Sequence, residues 1–167
     1  MHIVLFQPEI PPNTGNIARL CAATQTPLHL IEPLGFSLED RYLRRAGLDY
    51  WPDVKLDVWP DLFAYLNGPG LGRRLIATSA KGGLPVHRMD FTDCDSLLFG
   101  PETRGLPDSV LNMAACRVCI PQCGNTVRSL NLSTAAGIIL YQALAYCNML
   151  DAWLPNPTPF IPAPYER

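Results

Sequence analysis

The chain has 167 residues, of which 48% are hydrophobic and 17% charged, with a formal net charge of −2. This composition is typical of one globular domain and excludes a largely disordered chain. No apolar run reaches the roughly 18 residues that span a bilayer, and residues 1–6 lack the positive charge of a signal peptide. We therefore expect a cytoplasmic protein with no membrane association. Because the net charge is slightly negative, any contact with nucleic acid must come from a local basic patch.

Short apolar runs alternate with helical patterns along the chain, which predicts an α/β fold with a mostly parallel sheet flanked by helices. The predicted strands are His2–Phe6, Leu28–Ile31, Val54–Trp59, Leu75–Ser79, Ser96–Phe99 and Arg117–Ile120. The predicted helices are Thr14–Thr24, Leu38–Ala46, Asp61–Leu66, Asp108–Ala115 and Leu130–Asn148. Prolines recur after Asp151 and cannot sustain a helix or a sheet, so we predict one domain over residues 1–151 and a proline-rich tail over 152–167.

The first predicted helix begins just past the carboxyl end of the first strand, where open α/β sheets bind their ligands. Asn13 or Thr14 is expected to cap this helix. Asn16 and Arg19 lie three residues apart, on a different face from the apolar stripe. We interpret this pair as candidate site residues, and the alternative is an ordinary solvated helix face.

The last predicted helix is apolar almost all round, and it carries small residues at Ala135, Ala136 and Gly137. Such a helix needs cover on more than one side. In a chain of this length a second subunit can supply that cover, so we expect a homodimer.

Three segments combine glycine, proline and polar residues at predicted strand ends. They are Pro12–Arg19, Leu98–Pro107, and Ile120-Pro121 together with Arg128–Ser133. Each segment taken singly could be an ordinary turn, although the absent side chain of Gly100 would let a ligand approach the backbone. None of them is a P-loop or a GxGxxG loop, so the cradle for a pyrophosphate is missing. An adenosine ligand without a pyrophosphate remains possible.

The six cysteines include one cluster, formed by Cys116, Cys119 and Cys123. Two of these lie three residues apart in a predicted strand, where their side chains point to opposite faces. A second CxxC pair is missing from the sequence as well. We therefore expect reduced thiols and no metal site.

In this order and at these separations, the three segments resemble the motifs of the SPOUT RNA methyltransferases. The resemblance is strongest to the short branch that acts as tRNA (cytidine/uridine-34) 2′-O-methyltransferases, and residues 8–16, 31–36, 43–50 and 99–107 carry it. It covers Met1 to about Asp151. It implies a trefoil knot in the C-terminal part of the domain, S-adenosyl-L-methionine as cofactor and a tRNA anticodon loop as partner. It further implies that the modified nucleotide is the wobble nucleotide 34 of leucine tRNAs.

The resemblance also implies roles for particular residues. It places cofactor contacts at Thr78, Gly100, Ile120, Ser129 and Leu130, although Thr78 differs from the leucine typical of its position. It assigns Arg19 to the reacting 2′-hydroxyl, with Asn16 beside it. A guanidinium with a pKa above about 12 is a poor base. We therefore interpret Arg19 as an orienting and electrostatic group that can pass the proton through an RNA phosphate.

Five further arginines are candidates for RNA binding. Arg41, Arg44 and Arg45 share one face of a predicted helix, with a solvated face balanced by acidic neighbours as the alternative. Arg104 and Arg128 flank the predicted cofactor loops.

Three other functions stay open at this point. The chain could be a non-catalytic RNA-binding or assembly factor of the same fold, or a 2′-O-methyltransferase of ribosomal RNA. The α/β alternation alone would also fit an enzyme that uses another nucleotide cofactor.

Overall fold

The computed structural model describes residues 1–38, 51–124 and 126–153. The strands are β1 His2–Phe6, β2 Leu28–Ile31, β3 Leu56–Trp59, β4 Arg74–Thr78, β5 Leu84–Pro85, β6 Asp95–Phe99 and β7 Cys116–Cys119. The α-helices of the described ranges are α1 Pro11–Thr24, α2 Leu62–Leu66, α3 Asp108–Leu111 and α4 Leu132–Tyr146. Short 3₁₀ turns cover Trp51–Asp53, Val86–Arg88 and Asp151–Trp153.

The strands form one seven-stranded sheet in the order β3-β2-β1-β6-β4-β7-β5, and every neighbouring pair is parallel. The chain therefore moves outward from β1 to β2 and β3, and returns to the other side of β1 with β4 and β6. Open α/β sheets bind ligands at such a reversal, beyond the carboxyl ends of the strands. The loops that follow β1, β4, β6 and β7 all meet at this edge.

The sheet has a hydrophobic core on each face, as the two-residue period of β1 requires. Ile3 and Leu5 point into one core, which contains residues of α1 and α4. Val4 points into the other core, with residues of α2 and α3. Helices α1 and α4 thus lie on the same face of the sheet and contact each other.

The predicted single parallel sheet is confirmed, and its strands begin and end within two residues of their predicted positions. Strand β5 was missed because a two-residue edge strand that contains a proline gives no alternating pattern. Most of the predicted helix Leu38–Ala46 and of the proline-rich tail lies outside the described residues. Within the described ranges, no helix has the length and apolar character to cross a membrane.

Two predicted helix ends differ from the observed ends by more than two residues. Helix α1 begins at Pro11, so Asn13 and Thr14 lie inside it, and its N-cap residue Ile10 makes no side-chain capping bond. Prolines at the first two positions have no N–H to be capped, which explains why no capping side chain is needed. Helix α3 ends at Leu111, short of Ala115, because the Ala115 N–H already donates to the Leu75 carbonyl in β4.

Candidate active site

A cavity of about 1200 Å³ opens at the carboxyl edge of the sheet, between the loops that follow β4, β6 and β7. All five residues that the sequence pointed to as cofactor contacts line it: Thr78, Gly100, Ile120, Ser129 and Leu130. Arg104 and Arg128, two of the candidate RNA-binding residues, line it as well. The fold therefore brings these seven residues together from stretches that are far apart in the sequence.

The loop after β6 folds tightly back on itself. A Cβ atom on Gly100 would lie 2.5 Å from the backbone nitrogen of Leu106. Gly105 adopts a φ of 71°, and its N–H donates to the Pro101 carbonyl over 2.9 Å. The glycine at position 100 is thus required by the return of the loop itself, and it also lines the cavity. Because the loop lines the cavity, its conformation fixes one wall of the site.

Side chains from all three polar segments form a continuous hydrogen-bond network. Glu102 accepts from the Glu9 backbone N–H through Oε2, over 2.9 Å, and from the Asn13 Nδ2 through Oε1, over 3.0 Å. Asn13 in turn accepts a hydrogen bond of 2.8 Å from Asn131 through its Oδ1. We call these three side chains the Asn13–Glu102–Asn131 network. It ties the start of α1 and the loop after β6 to the start of α4.

Asn131 also caps α4. Its Oδ1 accepts hydrogen bonds from the backbone nitrogens of Ser133 and Thr134, over 2.8 and 3.4 Å. The amide orientation is thereby fixed, with Oδ1 on the helix end and Nδ2 toward Asn13. One residue therefore starts a helix and closes the network.

Sequence reasoning missed part of this site. It selected Asn16, whereas Asn13 is the residue of α1 that is buried, lines the cavity and joins the network. It also gave no role to Glu9 and Asn131. Glu9 accepts from the Thr103 N–H and Asn131 donates to Asn13, partners that lie 94 and 118 residues away in the sequence, so no local spacing could have revealed them. Asn131 lies within a polar segment already singled out, and Glu9 lies within residues 8–16, which carry the family resemblance, so their polar character was the available signal.

Asn16 and Arg19 lie on the exposed side of α1 and are not among the described residues that line the cavity. Arg19 follows Asn13 by six residues, a rise of about 9 Å along the helix. The structure thus places this pair on the helix that borders the site, farther from the sheet edge than Asn13. Arg41, Arg44 and Arg45 fall outside the described residues.

The cavity is cationic although the chain is not. Four basic residues line it, and all are exposed: Lys81, Arg104, Arg117 and Arg128. The acidic residues that line it are Glu102, whose carboxylate is engaged in the network, and Asp108. This local excess of positive charge contrasts with the formal net charge of −2. Lys81 and Arg117 are additions to the residues selected from sequence, and neither belongs to a polar segment that could have pointed to it.

All six cysteines are free thiols, and burial raises the pKa of the Cys21 thiol. In the part of the chain that the structure describes, no group of three or more histidine, cysteine, aspartate or glutamate side chains is placed to hold a metal ion.

Residues 1–141 match the model of the SpoU rRNA methylase family. The tRNA (cytidine(34)-2′-O)-methyltransferase of Methylovorus glucosotrophus is 50% identical over 146 residues, which cover 84% of this chain and 92% of that protein. A solved structure concerned with 2-OH methylation of C/U34 on tRNA is 48% identical, with a TM-score of 0.83 over 90% of this chain and 96% of the other. The methyltransferase AviRb of Streptomyces viridochromogenes, in complex with AdoMet, is 26% identical, with a TM-score of 0.76 over 87% of this chain and 59% of its own. The chain belongs to the SpoU methylase family.

Proposed function

We propose that this protein is a tRNA 2′-O-methyltransferase that transfers a methyl group from S-adenosyl-L-methionine to the ribose of nucleotide 34. The observation that carries the proposal is the Asn13–Glu102–Asn131 network. It joins three sequence-distant segments around one cationic cavity, in a chain that is 50% identical over most of its length to an enzyme of this activity.

The cavity suits the cofactor by its size and by the chemistry of its walls. Ligand pockets commonly measure about 300 to 1000 Å³, so about 1200 Å³ leaves room for an adenosine cofactor and part of a nucleotide. Leu106, Ile120 and Leu130 offer apolar contacts, and Thr78 and Ser129 offer hydroxyls. A cofactor without phosphate needs no glycine-rich cradle. When bound, it supplies an activated methyl group on a positively charged sulfur.

Arg19 is proposed to orient the ribose 2′-hydroxyl, with Asn16 beside it. A guanidinium holds a proton too tightly to act as a base, but its fork can fix a phosphate and the neighbouring hydroxyl at once. In this proposal the proton leaves the hydroxyl through the RNA phosphate, and the residues of the cavity hold the reacting groups in line.

We further propose that the active form is a homodimer. Ile10, Ile138 and Tyr141 are exposed by 40%, 40% and 46%, and they lie on α4 and at the start of α1, on the same face of the sheet. A second subunit on this face would also lie against the exposed side of α1, where Asn16 and Arg19 are found. We also propose that the C-terminal part of the domain forms a trefoil knot.

For the RNA, the proposal places phosphate contacts at Arg104 and Arg128 and at the basic run of Arg41, Arg44 and Arg45. An exposed anticodon loop has unstacked bases that a compact protein can reach without an extra domain. The wobble nucleotide of leucine tRNAs, as cytidine or modified uridine, is the proposed target.

The deciding experiment incubates unmodified leucine tRNA and ribosomal RNA with labelled S-adenosyl-L-methionine and maps the product by mass spectrometry. We expect one methyl group on the ribose of nucleotide 34, and none on a tRNA that carries 2′-deoxyribose at this position. Calorimetry should show binding of S-adenosylhomocysteine and not of NAD or ATP. Binding of tRNA without methyl transfer would favour the assembly-factor function, and labelling of ribosomal RNA alone would favour a 2′-O-methyltransferase of ribosomal RNA.

A further inference from the structure

Gln7 lies directly beyond β1, beside the wall of the cavity, and does not line the cavity itself. It is half-buried, and its backbone adopts a φ of 50°. This left-handed conformation is unusual for a residue with a side chain. It is held by a hydrogen bond of 2.9 Å from the Gln7 N–H to the Ile31 carbonyl of β2. The backbone of Gln7 is therefore held in place by the sheet, and this fixes where its side chain begins.

The Gln7 side chain contacts a cation of the cavity. Arg104 donates from Nη2 to the Gln7 Oε1 over 2.8 Å, although the two residues lie 97 positions apart. The adjacent Thr103 is held by Glu9, two residues after Gln7. The Glu9 carboxylate accepts from the Thr103 N–H over 3.0 Å and from its hydroxyl over 2.8 Å. These hydrogen bonds, followed by the charge of Arg104, lower the pKa of Glu9. Gln7 and Glu9, which follow β1, thus hold Arg104 and Thr103, two consecutive residues of the loop after β6.

A neutral acceptor can hold Arg104 in place and leave it available for an anion, which a carboxylate would do less well. A guanidinium has five N–H donors, and the contact with Gln7 uses one of them. Because the amide oxygen brings no charge, the contact with Gln7 does not offset the positive charge of Arg104 and leaves its remaining donors for an anion. The carboxylate that acts on Arg104 by charge is that of Glu9, whose hydrogen bonds go to Thr103. Phosphate is the anion that the fork of an arginine binds with two parallel hydrogen bonds.

We propose that Gln7 is a positioning residue that holds the Arg104 guanidinium at the mouth of the cavity for a backbone phosphate of the RNA substrate. This inference rests on the proposed function, because it assumes an RNA that enters the same cavity.

The test is Gln7→Met, which keeps the length of the side chain and removes the acceptor. Its matched control is Gln25→Met, since Gln25 has the same left-handed backbone, with a φ of 52°, and a side-chain hydrogen bond to a backbone carbonyl at the far end of α1. For Gln7→Met we expect a KM for tRNA raised roughly tenfold, as for the loss of one hydrogen bond to a charged group. The kcat and the affinity for S-adenosylhomocysteine should stay unchanged. Gln25→Met should change none of these values.

A double-mutant cycle with Arg104→Gln separates positioning from any independent effect. If Gln7 acts through Arg104, the double variant should bind tRNA no more weakly than Arg104→Gln alone. Additive losses would overturn the proposal, as would an unchanged KM in Gln7→Met. An equal loss of tRNA and S-adenosylhomocysteine affinity in Gln7→Met would show a structural role and refute it as well. Each of these outcomes is distinct from failure of the proposed function, in which the unaltered protein itself would not methylate tRNA.

Discussion

Glu102 accepts hydrogen bonds from two different segments, the backbone of Glu9 and the side chain of Asn13. In Glu102→Gln one carboxylate oxygen becomes an NH₂ group that faces a donor, so one bond is lost and two donors oppose each other. We expect kcat/KM for tRNA to fall roughly 10- to 100-fold, as for a lost hydrogen bond to a charged group. Steady-state kinetics would measure the fall. Asp108→Asn, which alters the other acidic residue of the cavity, should change kcat/KM less than threefold. An equal loss in both variants would contradict a special role of the network.

Gly100 offers a second prediction for a single residue. The Cβ of Gly100→Ala would lie 2.5 Å from backbone, and backbone cannot move aside without displacing the loop after β6. We expect affinity for S-adenosylhomocysteine to fall at least roughly tenfold, since a displacement of about 1 Å can cost far more than that in a precise site. Isothermal calorimetry would measure it. Gly124→Ala, whose added Cβ meets nothing within 4 Å, should bind normally. Unchanged binding in Gly100→Ala would show that this wall is dispensable for the cofactor.

The sequence alone could not show which of Asn13 and Asn16 belongs to the site. Periodicity separated the apolar stripe of α1 from its polar residues, and both asparagines are polar. The two asparagines differ in their partners. Asn13 bonds to Glu102, 89 residues away in the sequence, and to Asn131, 118 residues away. Contacts of this range depend on the order of strands in the sheet, which no local pattern specifies. The positions of the five cofactor candidates came from resemblance for the same reason.

Helix α4 gives a prediction at the scale of an element, because its N-cap residue serves two purposes. Asn131→Ala removes the cap and should lower the free energy of unfolding by about 1 kcal/mol. Asp61 caps α2 in the same manner, by accepting from the Ala64 N–H over 2.7 Å. Asp61→Ala should therefore cost about the same stability. Only Asn131→Ala should also reduce methylation, since Asn131 is the donor to Asn13. Urea unfolding and kinetics on both variants would check this, and equal activity would refute the coupling.

The elements themselves were largely predictable. Strands β1, β2 and β6 are apolar runs buried on both faces, which is the pattern that a parallel sheet imposes. Their order in the sheet was not predictable, since many orders bury the same runs equally well. The start of α1 was also misjudged, because the usual preference for a polar cap does not apply where Pro11 and Pro12 supply no N–H.

The whole molecule leaves one face of α4 apolar and exposed, with Ile138 and Tyr141 on it. A single charged substitution there, Tyr141→Asp, should convert a dimer to a monomer, because burial of an unpaired carboxylate costs several kcal/mol. Sedimentation velocity would measure the change. Phe63→Asp is the matched control, since Phe63 is 71% exposed on α2, on the opposite face of the sheet. It should leave the dimer intact. A monomer in the unaltered protein would contradict the proposed assembly.

On that opposite face two histidines join several strands through buried polar contacts. The Trp59 Nε1–H donates to the His29 Nδ1 over 3.2 Å, and tryptophan can only donate, so this nitrogen carries no proton. The His29 Nε2–H then donates to the His2 Nδ1, also over 3.2 Å. His2 further contacts the Tyr65 hydroxyl, which lies 2.7 Å from the Ser96 hydroxyl. Both histidines are therefore neutral in the folded chain.

Burial, followed by repulsion from Arg73, lowers the pKa of His2 from 6.5 to about 3. Burial lowers the pKa of His29 to about 4, against an opposing effect of Asp57. Below pH 6.5 the two histidines bind protons in the unfolded chain but stay neutral in the folded chain. The free energy of unfolding therefore has its full value above this pH and falls as the pH decreases toward 4. We expect the free energy of unfolding at pH 5.5 to be lower than at pH 7.5 by about 1 kcal/mol for each histidine. Urea unfolding would measure this difference. His29→Gln should reduce the difference, and His87→Gln, at an exposed position, should preserve it. Equal stability at both pH values would contradict the neutral buried pair.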